Sequence, residues 1–243
     1  MGKTRVEAFS DAVIAILITI MVLEMKVPDG RSLQDLFPVI PVFLSYILSY
    51  IYLGIYWNNH HQMLHTVERV RGGILWANLH LLFWLSLIPF ATHWMNMTDF
   101  ARIPTALYGG VLLMAAISYM ILQGRIIAAQ GSESILKKAI GKDWKGRVSP
   151  LIYLLAIFLA LWSRWEAIFL YVLVAVLWLI PDRRIDKGPE RIEKEMEAVM
   201  TTDGIPLTNL NSPSGRLPDS PKSLEPGKGT VRQGFKSLLF HQL

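Results

Sequence analysis

Six runs of apolar residues, at about Phe9 to Met25, Pro38 to Asn58, Ile74 to Met95, Pro104 to Gln123, Leu151 to Trp162 and Ala167 to Ile180, dominate the first 180 residues. Such runs restrict the fold more than any other feature of the chain. A helix rising about 1.5 Å per residue needs roughly 20 apolar residues to cross about 30 Å of hydrocarbon, and within lipid each backbone N–H must find its carbonyl inside the same segment. With 52% hydrophobic and only 18% charged residues, the chain reads as an all-α membrane protein with six transmembrane helices. The last two runs are short and are split only by Ser163-Arg164-Trp165-Glu166. They form either a tight hairpin that crosses twice or a re-entrant pair that does not fully cross.

The basic residues set the orientation. With the amino terminus in the cytoplasm, the inner segments hold Lys3, Arg5, Arg69, Arg71, Arg125, Lys137, Lys138, Lys142, Lys145, Arg147, Arg183, Arg184 and Lys187. The outer segments then hold only Lys26, Arg31, Arg102 and Arg164. This asymmetry places both termini inside, and it explains the net charge of +5 without nucleic acid as a partner. Trp57, Trp76, Trp94, Trp144, Trp162 and Trp165 fall near the ends of the expected spans, where interfacial anchors belong. The spans make up a six-helix transmembrane domain over residues 1–186. Residues 187–243 form a cytoplasmic tail, with a short charged helix at Glu190 to Met200 and then a Pro-, Gly-, Ser- and Asn-rich segment expected to be disordered.

Several chemistries are excluded or unsupported. The chain has no cysteine, so disulfides, thiolate catalysis and Cys-ligated metal sites are ruled out. No nucleophile-base pairing, phosphate-cradling glycine loop or paired intramembrane carboxylate is present, so no enzyme activity and no cofactor are expected. The adjacent His60 and His61 point to different faces of a helix and make a poor metal site. No internal repeat is evident, which argues against a two-fold repeated transporter. Asp11 and Glu24 bound the first apolar run, which lacks a small-x-small cleavage site after it, so it reads as a retained helix.

The first helix carries the most informative residues. A carboxylate inside a spanning helix costs roughly 2.5 to 3.5 kcal/mol at mid-membrane and less near an end, so Asp11 needs a partner or nearby water. At about 100° per residue, Arg5, Phe9, Ala12, Ile16, Thr19, Ile20 and Leu23 share one stripe, and Asp11 lies roughly 140° away from Ile16. Asp11 therefore faces its own subunit's bundle. Trp57, Asn58, His60 and His61 at the end of the second span, and Asn78 and His80 at the start of the third, lie at the right depth to hold it. The alternative is that Ser10 and Asp11 cap a helix that starts late.

Three ordered motifs resemble those of the bacterial members of the transmembrane protein 175 family of potassium channels: Arg5-x-x-x-Phe9-Ser10-Asp11, then Tyr56-Trp57-Asn58-Asn59-His60-His61, then Asn78-Leu79-His80 leading to Ile88-Pro89-Phe90. The resemblance extends to about Ile180. It implies a homotetramer of six-helix subunits in a bacterial plasma membrane, with the first helix of each lining a central pore, and with K+ as the permeating ion rather than a bound cofactor. Like the family, the chain lacks a Thr-Val-Gly-Tyr-Gly filter. By position, Ile16 matches the hydrophobic constriction, Thr19 a hydroxyl layer linked to potassium preference, and Leu23 a further apolar ring. Arg5, Phe9, Ser10, Asp11, Trp57, Asn58, His61 and Asn78 match the network that packs the pore helix against the next two spans. Ala15 stands where animal members can carry serine, so selectivity for K+ over Na+ is expected to be modest.

The expected function is passive K+ conduction through a hydrophobic gate that closes by dewetting. Two other classes remain open at this stage. One is a proton-coupled transporter in which Asp11 and His61 change protonation; the other is a non-conducting membrane scaffold.

Overall fold

The computed structural model describes residues 2–179, apart from 68, 132, 133, 135 and 138–142. The expected 187–243 tail, with its charged helix, lies outside the described residues. The order of elements is α1 (Lys3–Leu23), a 3-10 segment (Leu33–Val39), α2 (Ile40–His65), α3 (Gly72–Ser86), α4 (Ile88–Met97), α5 (Arg102–Gln130), α6 (Trp144–Ala160) and α7 (Arg164–Leu179).

All seven helices fall on the six apolar runs, because the third run is broken in two. Pro89 has no N–H, and its ring would crowd the carbonyl of Leu85. The Leu87 amide instead turns back to the Trp84 carbonyl at 3.3 Å, and regular bonding resumes from Ala91 to Leu87 at 3.0 Å. Four helical stretches are long and apolar enough to cross a membrane: Lys3–Leu23, Leu33–His65, Gly72–Met97 and Arg102–Gln130. α6 and α7, with 17 and 16 residues, reach only about 25 Å.

The boundaries differ from the apolar runs in an instructive way. α1 begins at Lys3, α2 runs on to His65, α5 to Gln130, and α6 begins at Trp144. Hydropathy ends where charge begins, but helical hydrogen bonding continues into the charged flanks.

Long-range hydrogen bonds define two ends of the bundle. At the basic end, Lys3 Nζ donates to the His65 carbonyl at 2.6 Å, Gln130 Nε2 to the Thr66 carbonyl at 2.7 Å, and Gln123 Nε2 to Asp143 at 3.2 Å. At the other end, Ser45 donates to Asn96 at 2.6 Å and Arg164 to the Asp99 carbonyl at 2.8 Å. Asp99 and Phe100 take positive φ (48° and 58°) in the sharp turn that feeds α5.

Between these ends the interior combines aliphatic packing with a few paired hydroxyls. Ser49 bonds to Thr92 at 2.8 Å and to Tyr108 at 3.0 Å, joining α2, α4 and α5. Tyr171 donates to the Thr105 carbonyl at 3.1 Å across Gly109, where any Cβ would overlap with the Tyr171 hydroxyl. Buried Ala115, Ala156, Ala160, Ala167 and Ala175 let α5, α6 and α7 approach closely, as small residues do in membrane bundles. Trp57, Trp76, Trp94, Trp144, Trp162 and Trp165 are all exposed, as anchors at a membrane interface would be.

Candidate functional site

α1 is one uninterrupted helix of 21 residues with Ser10 and Asp11 well inside it. This corrects the late-start alternative: neither residue caps the helix, whose N-cap is Gly2. Each must therefore satisfy its polar atoms by reaching another helix or its own preceding turn.

Ser10 does both. Its hydroxyl donates to the Val6 carbonyl at 2.8 Å and accepts from Asn78 Nδ2 at 2.9 Å, while the Asn78 Oδ1 lies 2.6 Å from His60 Nε2. The chain of bonds has one consistent direction when His60 carries its proton on Nε2: imidazole to amide, amide to hydroxyl, hydroxyl to backbone. Ser10 and Asn78 are fully buried and His60 is 1% exposed, so these bonds form where an unpaired group would be costly. They tie α1, α2 and α3 together at one level and fix the rotation of α1 about its axis. His60 Nδ1 and Glu7 Oε1 are buried in the same region without a hydrogen-bond partner among the described residues.

Asp11 meets one of its expected partners, Trp57. It lies on the flank of α1, only partly buried, and accepts from Trp57 Nε1 at 3.0 Å. His61 makes no hydrogen bond to it; the ring stacks on Trp57 with centroids 6.1 Å apart. Thus the sequence motif divides into a sealed set, Ser10-Asn78-His60, and a peripheral set, Asp11-Trp57-His61. Arg5, Phe9 and Asn58 are exposed and join neither set; Asn58 accepts only a long bond from Gln62, at 3.5 Å. His80 accepts from Trp84 at 3.1 Å, away from Asn78.

Two contacts of this region were not expected from sequence. Lys3 lies 3.7 Å from Glu7 and also donates to the His65 carbonyl, linking the start of α1 to the end of α2. His60, rather than His61, contacts Asn78. The signal for His60 was present in the period of α2, where buried Ser49, Tyr52, Leu53, Tyr56, His60, Met63 and Leu64 follow spacings of three and four.

The opposite face of α1 is bare. Ile16 is 55% and Leu23 80% exposed, and Phe9, Ala12, Thr19 and Ile20 are exposed with them. Thr19 is the one hydroxyl on this face, and it is bonded internally to the Ile16 carbonyl at 2.8 Å. Its oxygen keeps lone-pair capacity that can face an ion or water. Beside this stripe, Thr4, Ala8, Ala12, Ala15 and Thr19 form an exposed ridge of small side chains. At the far end, His93 Nδ1 lies 3.7 Å from Glu24, next to Leu23.

Comparison with known proteins identifies the family to which this helix arrangement belongs. Residues 5–89, which hold α1 to α3, match the family model described as the endosomal/lysosomal potassium channel TMEM175. A potassium channel of Chryseobacterium sp. (strain P1-3) is 55% identical over 188 residues, covering 77% of this chain and 98% of the relative. The endosomal/lysosomal proton channel TMEM175 of mouse is 31% identical over 116 residues, covering 43% of this chain and 23% of the relative. Among solved structures, the lysosomal potassium-selective channel TMEM175 homolog from Chamaesiphon minutus matches with a TM-score of 0.65 and 29% identity, covering 73% of this chain and 96% of that one. The near-complete coverage of bacterial relatives, together with the shared fold, means that the chain is a multi-pass membrane protein belonging to the TMEM175 family.

Proposed function

We propose that four copies of this chain assemble around their α1 helices in a bacterial plasma membrane and conduct K+ passively down its gradient, with modest preference over Na+. The observation that carries this reading is the exposed stripe of α1. A helix in the middle of the polar network at its back leaves Phe9, Ile16, Thr19, Ile20 and Leu23 without any covering element among the described residues. The adjoining ridge of Thr4, Ala8, Ala12 and Ala15 suits close helix-helix approach between copies, for which small side chains are favoured in lipid.

In this assembly four Ile16 side chains make the narrowest ring. An apolar ring excludes water when tight and lets a hydrated ion pass when slightly wider, so a small rotation or tilt of α1 opens it. Ser10-Asn78-His60 sets the rotation of α1 and thereby the diameter of that ring. Thr19 supplies the first hydroxyls beyond the ring, and the lack of a hydroxyl at Ala15 accounts for modest selectivity.

A proton-coupled carrier using Asp11 and His61 receives less support. Asp11 is engaged by Trp57 on the flank, and His61 stacks on the same indole. The bacterial relatives' names point to K+, and the animal relatives' names to protons. Planar-bilayer recording of purified protein with K+ on one side and Na+ on the other tests the reading. Unitary currents that reverse with the K+ side held negative are expected for K+ preference; saturable flux without unitary currents would select a carrier, and no flux a scaffold.

A further inference from the structure

A second site lies on the side of the subunit away from α1. A narrow cleft, about 430 Å³ with the open solvent in front of it counted, is lined by residues of α2, α5, α6 and α7. Its wall is almost entirely aromatic and apolar: Tyr56, Tyr119, Tyr153 and Trp178 face it, with Met120 and Asn59 at its edge. Tyr56 and Tyr119 pack edge to face with centroids 6.1 Å apart, and Tyr119 and Trp178 do the same at 6.4 Å. The Trp178 indole N–H is already used by Ser149 at 2.8 Å.

The phenols of Tyr56 and Tyr119 are different. Neither hydroxyl has a hydrogen-bond partner among the described residues, and neither is sealed from contact, so both offer donors to whatever enters. Two donors lining one apolar slot fit a hydrogen-bond acceptor carried on a hydrocarbon body, such as the ester carbonyl of a lipid. The depth agrees. Tyr56 lies nine residues before His65 at the basic end of α2, about 13 Å along the helix, which is the level of a glycerol ester below its headgroup. Gly146, in the cavity wall, sits in the first turn of α6, and Arg147 follows it directly and is exposed. Arg125 is exposed at the same end of α5, and Gln123 and Asp143 hold α5 and α6 together there at 3.2 Å. Exposed Trp144 stands beside them.

We infer that this cavity binds an anionic phospholipid of the leaflet at the basic end, with an ester carbonyl on the Tyr56 and Tyr119 hydroxyls, the start of an acyl chain against Trp178, and the phosphate at Arg147 and Arg125. The inference is independent of ion conduction. It follows from unpartnered phenols in an apolar slot near the basic end of the bundle, at the depth a phospholipid would require.

The test uses the full chain in phosphatidylcholine vesicles. A minor fraction of either phosphatidylglycerol or phosphatidylcholine is brominated near the start of one acyl chain, and tryptophan fluorescence is recorded. The Trp178 signal is the difference between the native chain and Trp178→Phe. Brominated phosphatidylglycerol is expected to quench it several-fold more than brominated phosphatidylcholine at equal mole fraction. Arg147→Gln with Arg125→Gln removes that preference, and Tyr56→Phe with Tyr119→Phe lowers quenching by both lipids. If Trp178→Phe does not fold, Ala116→Phe serves instead, since it fills the slot and lowers total quenching with all tryptophans retained. Equal quenching by the two lipids would mean ordinary boundary lipid, and no quenching of Trp178 a cavity closed by protein or filled by water; either result overturns the inference.

Discussion

Seen from the bundle, α1 shows Val6, Ser10, Ile14, Leu17 and Met21, all buried; from the other side it shows Phe9, Ile16, Thr19, Ile20 and Leu23, all exposed. Both faces are mostly apolar, so hydropathy alone cannot tell them apart. They differ in how their polar groups are satisfied. The buried face spends Ser10 on a bond chain through Asn78 to His60, which has one good geometry and therefore fixes the rotation of the helix. The exposed face closes its hydroxyl, Thr19, onto its own backbone and leaves no group that requires a protein partner. A helix built in this way is rigidly placed from behind while its front remains free to meet symmetry-related copies, water or ions.

The largest effect should follow from altering the front. Ile16→Asn replaces the apolar ring with amides that hold water, so unitary conductance should rise several-fold and K+/Na+ discrimination should weaken, with thermal stability nearly unchanged. Bilayer recording beside thermal melting of the same preparation checks both halves. Altering the back should do the opposite. Asn78→Leu removes two bonds and leaves the buried His60 donor unpaired, a cost of about 1–3 kcal/mol. Melting temperature and tetramer yield should drop, while any channels that do form keep their unitary conductance and change mainly their open probability. Asn78→Leu channels with altered unitary conductance and intact stability would erase the distinction between the two faces.

Asp11 refines the comparison, since it lies on neither face. Asp11→Ala loses one half-exposed bond from Trp57, and membrane hydrogen bonds of this kind average roughly 0.6 kcal/mol. A stability loss below about 1 kcal/mol is expected, with assembly retained; a loss as large as that of Asn78→Leu would place Asp11 in the load path of the bundle. The smallest effect is reserved for Thr19→Val. The hydroxyl is bonded within its own helix and valine has the same shape, so stability should not change, and only the K+/Na+ permeability ratio read from the reversal potential should fall.

The same contrast explains what the sequence made legible. Runs of apolar residues located every described helix of the bundle, and a period of 3.6 separated Ile16 and Leu23 from Asp11, because both depend only on local geometry. The break at Leu87 was foreshadowed by Pro89 but needed the backbone bonds to locate it. Depth named both His60 and His61 as partners for the first helix, and the period of α2 separates them, because only His60 falls on its buried face. Asp11 was expected to meet a donor from the second span on the grounds of cost, and Trp57 is that donor, although the contact lies at the partly exposed flank of α1. Lys3 and Glu7, on a charged first turn outside the apolar run, drew no attention because nothing in composition marks a flank as helical.

The central claim is that the exposed face of α1 lines the ion path. Because the chain contains no cysteine, a single introduced thiol reports without background. Ag+, a monovalent cation close in size to K+ that binds thiolate, is applied to Ile16→Cys and Leu17→Cys channels during bilayer recording. The account predicts irreversible loss of current in Ile16→Cys and none in Leu17→Cys, whose side chain is buried against the bundle. Loss of current in Leu17→Cys with Ile16→Cys unaffected would contradict it.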